Sequence, residues 1–484
     1  MIRYLSSDGV KQVLKLLMLF LMAFAMAYLF AKGGIPVAGA FFVLPFAIAG
    51  FILICIKPHF GLFLCLIIAY TVLGITRYVN LPLGLALEIV LWVTLLALLF
   101  RTKKEDFGHL NNLSVWLMVV WTAYTTFEIF NPEAKSFEAW FYAVRAISFN
   151  ILFLIMAATL GLRSQRYLNI FIAIWMVGAA VSALYGMKQL YIGLDAAENR
   201  WLAEGAADTH ILFGRLRVFS FYSDAGQFGA FMAFSSLVGL ILGLKARTTF
   251  KRFFYISCGL LCFWGMAISG TRGAVFVFSG FFFYLVLTKN FRILLLGFLC
   301  AGAAFYVLKY TYIGQGNYQI QRIRSAMNPD EDPSFQVRLE NQKKLRAYLA
   351  TRPFGGGIGS IGYWGKRFSP GTFLAETPPD SHYVRIWAET GIVGLTIHLG
   401  AFIIILIRAF VITYKIRDIY LKQKMMAFYS GVFGVLVASY GNQILSQMPL
   451  GVFFSIAVAY LFMAPTIDKS LMGESSISFN NSSK

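Results

Sequence analysis

The chain has 484 residues, of which 13% are charged and 58% hydrophobic, and a formal net charge of +20. A water-soluble protein carries about 25% charged residues, so an ordinary hydrated surface is excluded. The Lys and Arg excess lies in short clusters between apolar runs rather than in one basic domain, which argues against a nucleic-acid partner and for positive loops retained on the inner side of a membrane.

Apolar runs long enough to cross a hydrocarbon core of about 30 Å as helices recur from Val13 to Ala464. The expected fold is all-α, a polytopic membrane bundle of about 12 to 14 transmembrane helices with one large periplasmic loop. The run from Val13 to Ala31 exceeds the usual apolar stretch of a signal peptide and lacks a small-residue cleavage site before Lys32, so it reads as the first membrane helix. Five cysteines, Cys55, Cys65, Cys258, Cys262 and Cys300, all fall inside apolar runs without disulfide or metal-ligand spacing, and read as packing residues.

Basic connections follow in order: Lys57; Arg101, Lys103 and Lys104; Arg163 and Arg166; Lys245, Arg247, Lys251 and Arg252; Lys289 and Arg292; then Arg408, Lys415, Arg417, Lys422 and Lys424. With a cytoplasmic N-terminus and about fourteen crossings, alternation puts every one of them on the inner face. The expected organisation is residues 1–309 as helices with short loops, 310–383 as a periplasmic loop carrying the active-site region, 384–466 as C-terminal membrane helices, and 467–484 as a cytoplasmic tail.

Three outer elements carry candidate chemistry. Arg215-Leu216-Arg217 stands just ahead of a membrane helix, and Ser269-Gly270-Thr271-Arg272-Gly273 opens another. A helix N-terminus offers free N–H groups and partial positive charge, and a guanidinium binds two phosphate oxygens at once. Either arginine group can instead be an anchor among lipid headgroups. The third element is His382, where the long hydrophilic segment re-enters the apolar region. Within that segment a helix is expected from Phe335 to Ala350, ended by Arg352-Pro353 and the glycines Gly355, Gly356, Gly357 and Gly359. Its stripe of Phe335, Arg338, Leu339, Gln342, Leu345, Arg346 and Leu349 suits either a helix lying on the membrane surface or a lid with Arg338 and Arg346 pointing into a cleft. The acidic run Asp330-Glu331-Asp332 reads as a solvated turn, and no metal or cofactor is expected.

The ordered set Arg352-Pro353-Phe354-Gly355-Gly356-Gly357-Ile358-Gly359, His382 and Glu389-Thr390-Gly391-Ile392-Val393-Gly394-Leu395 resembles the signature of the O-antigen ligase and polymerase superfamily. Ser269 to Gly273 and Arg217 to Gly226 are similar to its two upstream arginine motifs. The resemblance implies a metal-independent membrane glycosyltransferase of the bacterial inner membrane, with its active site facing the periplasm. Its donor would be a glycan on undecaprenyl pyrophosphate and its acceptor a lipid or glycan, lipid A core among them. Arg272 and Arg217, with Arg215 beside them, are thereby assigned to the pyrophosphate, and His382 to the acceptor hydroxyl. The chain departs from the pattern in carrying Tyr383 where relatives have asparagine, and Ala225-Gly226 where they have proline and asparagine. A polymerase joining lipid-linked repeat units is the alternative within the same chemistry. A flippase would call for several ionisable residues at mid-membrane, and Glu88 is the clearest deep charge, with Arg145 and Lys188 nearer the outer edge.

Overall fold

The computed structural model describes residues 44–79, 83–212, 214–314 and 333–482, together with 15–18, 20, 28, 316, 321 and 324. Most of the expected first membrane helix, and all of Asp330-Glu331-Asp332, lie outside the described residues. The chain divides into two units, Met1–Phe60 and Gly61–Lys484. The first contributes the apolar helix α1 (Leu44–Ile56).

The second unit is an all-α polytopic bundle. Its helices are α2 (His59–Ile75), α3 (Ala86–Arg101), α4 (Leu113–Phe130), α5 (Phe137–Gly161), α6 (Gln165–Tyr191), α7 (Ala225–Leu244) and α8 (Thr249–Ile268). They continue as α9 (Arg272–Leu287), α10 (Phe291–Tyr310), α11 (Pro333–Leu349), α12 (Gly362–Phe368), α13 (His382–Lys415), α14 (Ile419–Ala438) and α15 (Leu450–Ser482). Among the described residues six helices are long and apolar enough to cross a membrane: α4, α5, α6, α7, α13 and residues Leu450–Gly473 of α15. The last helix thus runs on through residues read from sequence as a tail. The two-residue strands β1 (Ile211–Leu212) and β2 (Arg215–Leu216) pair antiparallel in the connection between α6 and α7.

Helix starts follow local chemistry. Ser164, Asp224, Thr248, Ser381 and Asp418 each accept a backbone N–H of the first turn of the helix that follows, which supplies donors that otherwise stay unpaired. The core is aromatic. Trp175 on α6 lies 5.3 Å from Phe453 and 5.8 Å from Phe428 between ring centroids, its indole N–H donates to Ser235 Oγ at 2.9 Å, and its carbonyl accepts from Tyr70. Outward-facing residues are equally apolar, with Phe250, Phe253, Leu299 and Ile407 all exposed, as a surface solvated by lipid tails requires. Cys300 belongs to that exposed surface, whereas Cys65, Cys258 and Cys262 are buried in packing positions.

The connections sort into two ends of the bundle. At one end Arg163 meets Asp106 at 2.6 Å, Lys424 donates to Asn169, and Lys289 stands 3.6 Å over the Tyr414 ring. This is the basic end. At the other end Arg77 donates to the carbonyls of Ser220 and Tyr222, Tyr78 to Asp195, and Gln443 to the Pro379 carbonyl, while Arg352 pairs with Glu133 at 3.1 Å. Glu88 in the first turn of α3 and Arg145 of α5 form a nearly buried ion pair at 2.6 Å, Arg145 opening a π-helical stretch from Arg145 to Phe149. Lys188 pairs with Glu198 at 3.2 Å. Glu88, Arg145 and Lys188 are thus each engaged in an ion pair.

Candidate functional site

Four elements converge on the segment 439–442, between α14 and α15. The first is the N-terminus of α13. Ser381 Oγ accepts from the Val384 N–H, and the His382 N–H donates to the Ser439 carbonyl at 3.0 Å. The second is the start of α9: a Cβ built on Gly273 would lie 2.6 Å from Asn442 Nδ2, so only glycine lets that side chain come so close. The third is α11, whose Arg338 donates to the Gly441 carbonyl at 3.2 Å and lies 3.9 Å from Asp380 Oδ2. The fourth is the start of α7, where a Cβ on Gly226 would lie 3.9 Å from Asn442 Oδ1.

Arg217 joins this assembly through Thr271. Its backbone N–H donates to the His210 carbonyl at 2.8 Å, and its guanidinium donates to Thr209 O and Thr271 Oγ1, both at 3.3 Å. Thr271 Oγ1 donates in turn to the Ala225 carbonyl at 2.8 Å. Arg272 follows directly, half-buried, as the first residue of a 3-10 stretch running to Gly280. Arg338 thus touches this short turn, Arg217 is tied to Thr271, and Arg272 stands between Thr271 and the Gly273 that borders Asn442. Asp224 is occupied in capping α7. Burial raises the Asp380 pKa above the usual carboxylate range and Arg338 opposes that rise. Guanidinium groups on elements that meet at one turn are suited to a phosphate or pyrophosphate.

Two residues named from sequence lie apart from this group. Arg215 is exposed on β2 opposite Leu212. Arg346 is exposed on α11, while Leu345 and Leu349 are the buried residues of that helix, packed with Ile361, Leu374 and Ala388. Of the proposed arginine stripe, only Arg338 reaches the convergence.

His382 is fully buried, and its Nε2 lies 3.1 Å from Nε2 of His398. Sixteen residues of continuous α-helix would separate their Cα atoms by about 24 Å, so a straight α13 could not make this contact. The chain turns back at Gly391, whose φ of 65° and ψ of −168° are not helical and belong to a region open essentially to glycine alone. The corner is locked from outside. Pro353 O accepts from the Val393 N–H at 3.3 Å, Ala388 O accepts from Gly356, Tyr124 donates its hydroxyl to Thr390 O at 2.8 Å, and a Cβ on Gly391 would sit 2.0 Å from Pro353 O. The Arg-Pro-Phe-Gly-Gly-Gly and Glu-Thr-Gly stretches are thus two faces of one joint. Inside the joint, Arg385 Nε donates to Glu389 Oε1 at 3.1 Å.

Sequence reasoning missed His398, Asn442 and Trp121. The Trp121 ring lies 4.6 Å from the His398 ring and its indole N–H donates to Ile147 O. Only the unusual glycine at position 391 signalled that the apolar run holding His398 could fold back on His382. His210 is buried against Trp201 and Phe219, and its carbonyl fixes Arg217. Burial lowers its pKa.

Among the described residues no group of three or more His, Cys, Asp or Glu side chains could hold a metal ion. Residues 256–399 match the family profile described as O-antigen ligase, which supports the resemblance to the O-antigen ligase and polymerase superfamily. The matched stretch includes Arg272, the Gly355 to Gly359 run, His382, Gly391 and His398, and leaves Arg217 and Asn442 outside. No curated protein matches the chain.

Proposed function

We propose that the protein transfers a glycan from a polyprenyl-pyrophosphate carrier, of the undecaprenyl type, to an acceptor hydroxyl at the outer face of the inner membrane, as an O-antigen ligase does. The observation that carries this reading is the convergence of Arg217, Arg272 and Arg338 with the His382 terminus of α13 on residues 439–442. The family match of residues 256–399 supports the glycosyltransferase class. The site end is opposite the basic end of the bundle, and positive loops stay in the cytoplasm, which supports a periplasmic site.

In this reading the arginines bind the pyrophosphate. The acceptor oxygen attacks the anomeric carbon and its proton passes to His382. The bond from that carbon to the pyrophosphate oxygen breaks, its electron pair leaving on the pyrophosphate. Arginines held in place before the reaction stabilise that charge without a metal. His382 Nε2 is engaged with His398, and Nδ1 has no hydrogen-bond partner among the described residues; Nδ1 is therefore the nitrogen that takes the proton. Because the ring is buried, the acceptor reaches it only after the side chains around it move.

The test is transfer by the purified protein from a synthetic lipid-linked donor, with and without lipid A core. Ligation to the core is expected. Chain growth on the carrier without the core would make the protein a polymerase, and no transfer to either acceptor would overturn the reading. His382→Ala should lower turnover by about 10² to 10⁴-fold, the usual contribution of a general base, with donor binding retained.

A further inference from the structure

We infer that His398 is the proton partner of His382, a positioning residue that fixes the tautomer of His382 and shares its charge during transfer. The inference rests on the transferase reading above and deepens it.

The two rings form an isolated pair. Both are buried, their Nε2 atoms lie 3.1 Å apart, and neither Nδ1 has a hydrogen-bond partner among the described residues. One hydrogen fits between two nitrogens, so one ring donates and the other accepts. A base at His382 Nδ1 must be unprotonated there, which puts the hydrogen of neutral His382 on Nε2. His398 Nε2 is then the acceptor and His398 carries its own hydrogen on Nδ1. When His382 Nδ1 takes the proton of the attacking hydroxyl, the Nε2–H to Nε2 bond becomes charge-assisted and strengthens. The Nε2 proton can pass to His398, leaving His382 neutral as its Nδ1–H tautomer and the cation on His398. That cation lies 4.6 Å from the Trp121 ring, within the range of a favourable cation–π contact, and Phe402 stands edge-on at 4.9 Å. No proton is lost or created, and the pair returns to its starting state by release to solvent or leaving group.

A packing role would make nothing of the nitrogen. The corner at Gly391 supplies independent support, because only that reversal brings position 398 to position 382.

The experiment uses the full-length protein with the lipid-linked donor and acceptor, comparing His398→Gln, His398→Asn and His398→Phe. The Gln side chain can place an amide oxygen near Nε2 and accept the same bond; Asn is too short and Phe accepts nothing. Turnover is expected to fall roughly 30-fold in the Phe and Asn variants, part of the ~10² to 10⁴-fold attributed to a general base, with KM for the donor unchanged. Gln should recover most of the loss. In ¹⁵N-histidine spectra, wild-type His382 should show the Nε2–H tautomer, and His398→Phe should mix the two. Should His398→Phe not fold, the contrast of Gln with Asn carries the same test. Equal turnover in Gln and Asn, or an unchanged His382 tautomer in the Phe variant, would overturn the inference. Absence of transfer by the unaltered protein would instead overturn the transferase reading on which it stands, and an active His382→Ala variant the base role of His382.

Discussion

Arg217 Nη2 donates to Thr271 Oγ1 across 3.3 Å, and the same hydroxyl donates to the Ala225 carbonyl. One threonine therefore ties the connection before α7, the first turn of α7 and the residue preceding Arg272. Thr271→Val keeps the shape and removes both bonds, while Thr271→Ser keeps them. A hydrogen bond to a charged group contributes about 1.5 to 3 kcal/mol, so Val should weaken donor binding roughly 10-fold or more and Ser by less than about 3-fold. Titration with a lipid-linked donor checks this, and equal affinities would detach Thr271 from the anion site.

Arg272 is expected to tolerate no substitution that keeps only its charge. Lysine lacks the planar fork that grips two phosphate oxygens. Arg272→Lys should lose most turnover while the protein inserts and accumulates normally, and turnover of the unaltered protein should survive EDTA. Wild-type activity in the Lys variant would make Arg272 a headgroup anchor. A strict Mg²⁺ requirement would return attention to Asp330-Glu331-Asp332.

Gly391→Ala should be among the most damaging single changes outside the aromatic core. The alanine needs a backbone conformation closed to it and a Cβ 2.0 Å from Pro353 O. Backbone strain alone costs about 1 to 3 kcal/mol. The yield of monodisperse protein and its thermal midpoint should both fall. Normal behaviour would mean that the corner is not closed as described.

Sidedness can be checked with impermeant thiol labelling after Cys55 and Cys300, the two cysteines that are not buried, are replaced by serine. A probe at Lys344, exposed on α11, should react from the periplasm, and one at Lys103 only after the membrane is opened. Labelling of both from one side would refute the proposed topology.

Much of the helical architecture was legible because the bilayer imposes it: the lengths of the apolar runs point to the helices. The helix expected at 335–350 is found at Pro333–Leu349, because proline is tolerated in a first helical turn and the glycines after Pro353 end the run. The site was readable only in part. Arg217, Arg272 and His382 sit beside turn signals, whereas Asn442 lies in an unremarkable polar stretch and matters only because Gly273 admits it. His398 was hidden by periodicity itself. An apolar run with the right length for one span conceals a reversal whose geometry resides in one glycine and in a carbonyl from position 353, some forty residues upstream.

The Glu88–Arg145 pair has a consequence for biogenesis. Glu88 stands in the first turn of α3, and it and Arg145 neutralise each other only when α3 and α5 lie side by side. The partners are 57 residues apart in the chain, an interval of about 3 to 12 s at ribosomal rates of 5 to 20 residues per second. During that interval Glu88 lacks its partner, so α3 is expected to settle only once α5 has emerged.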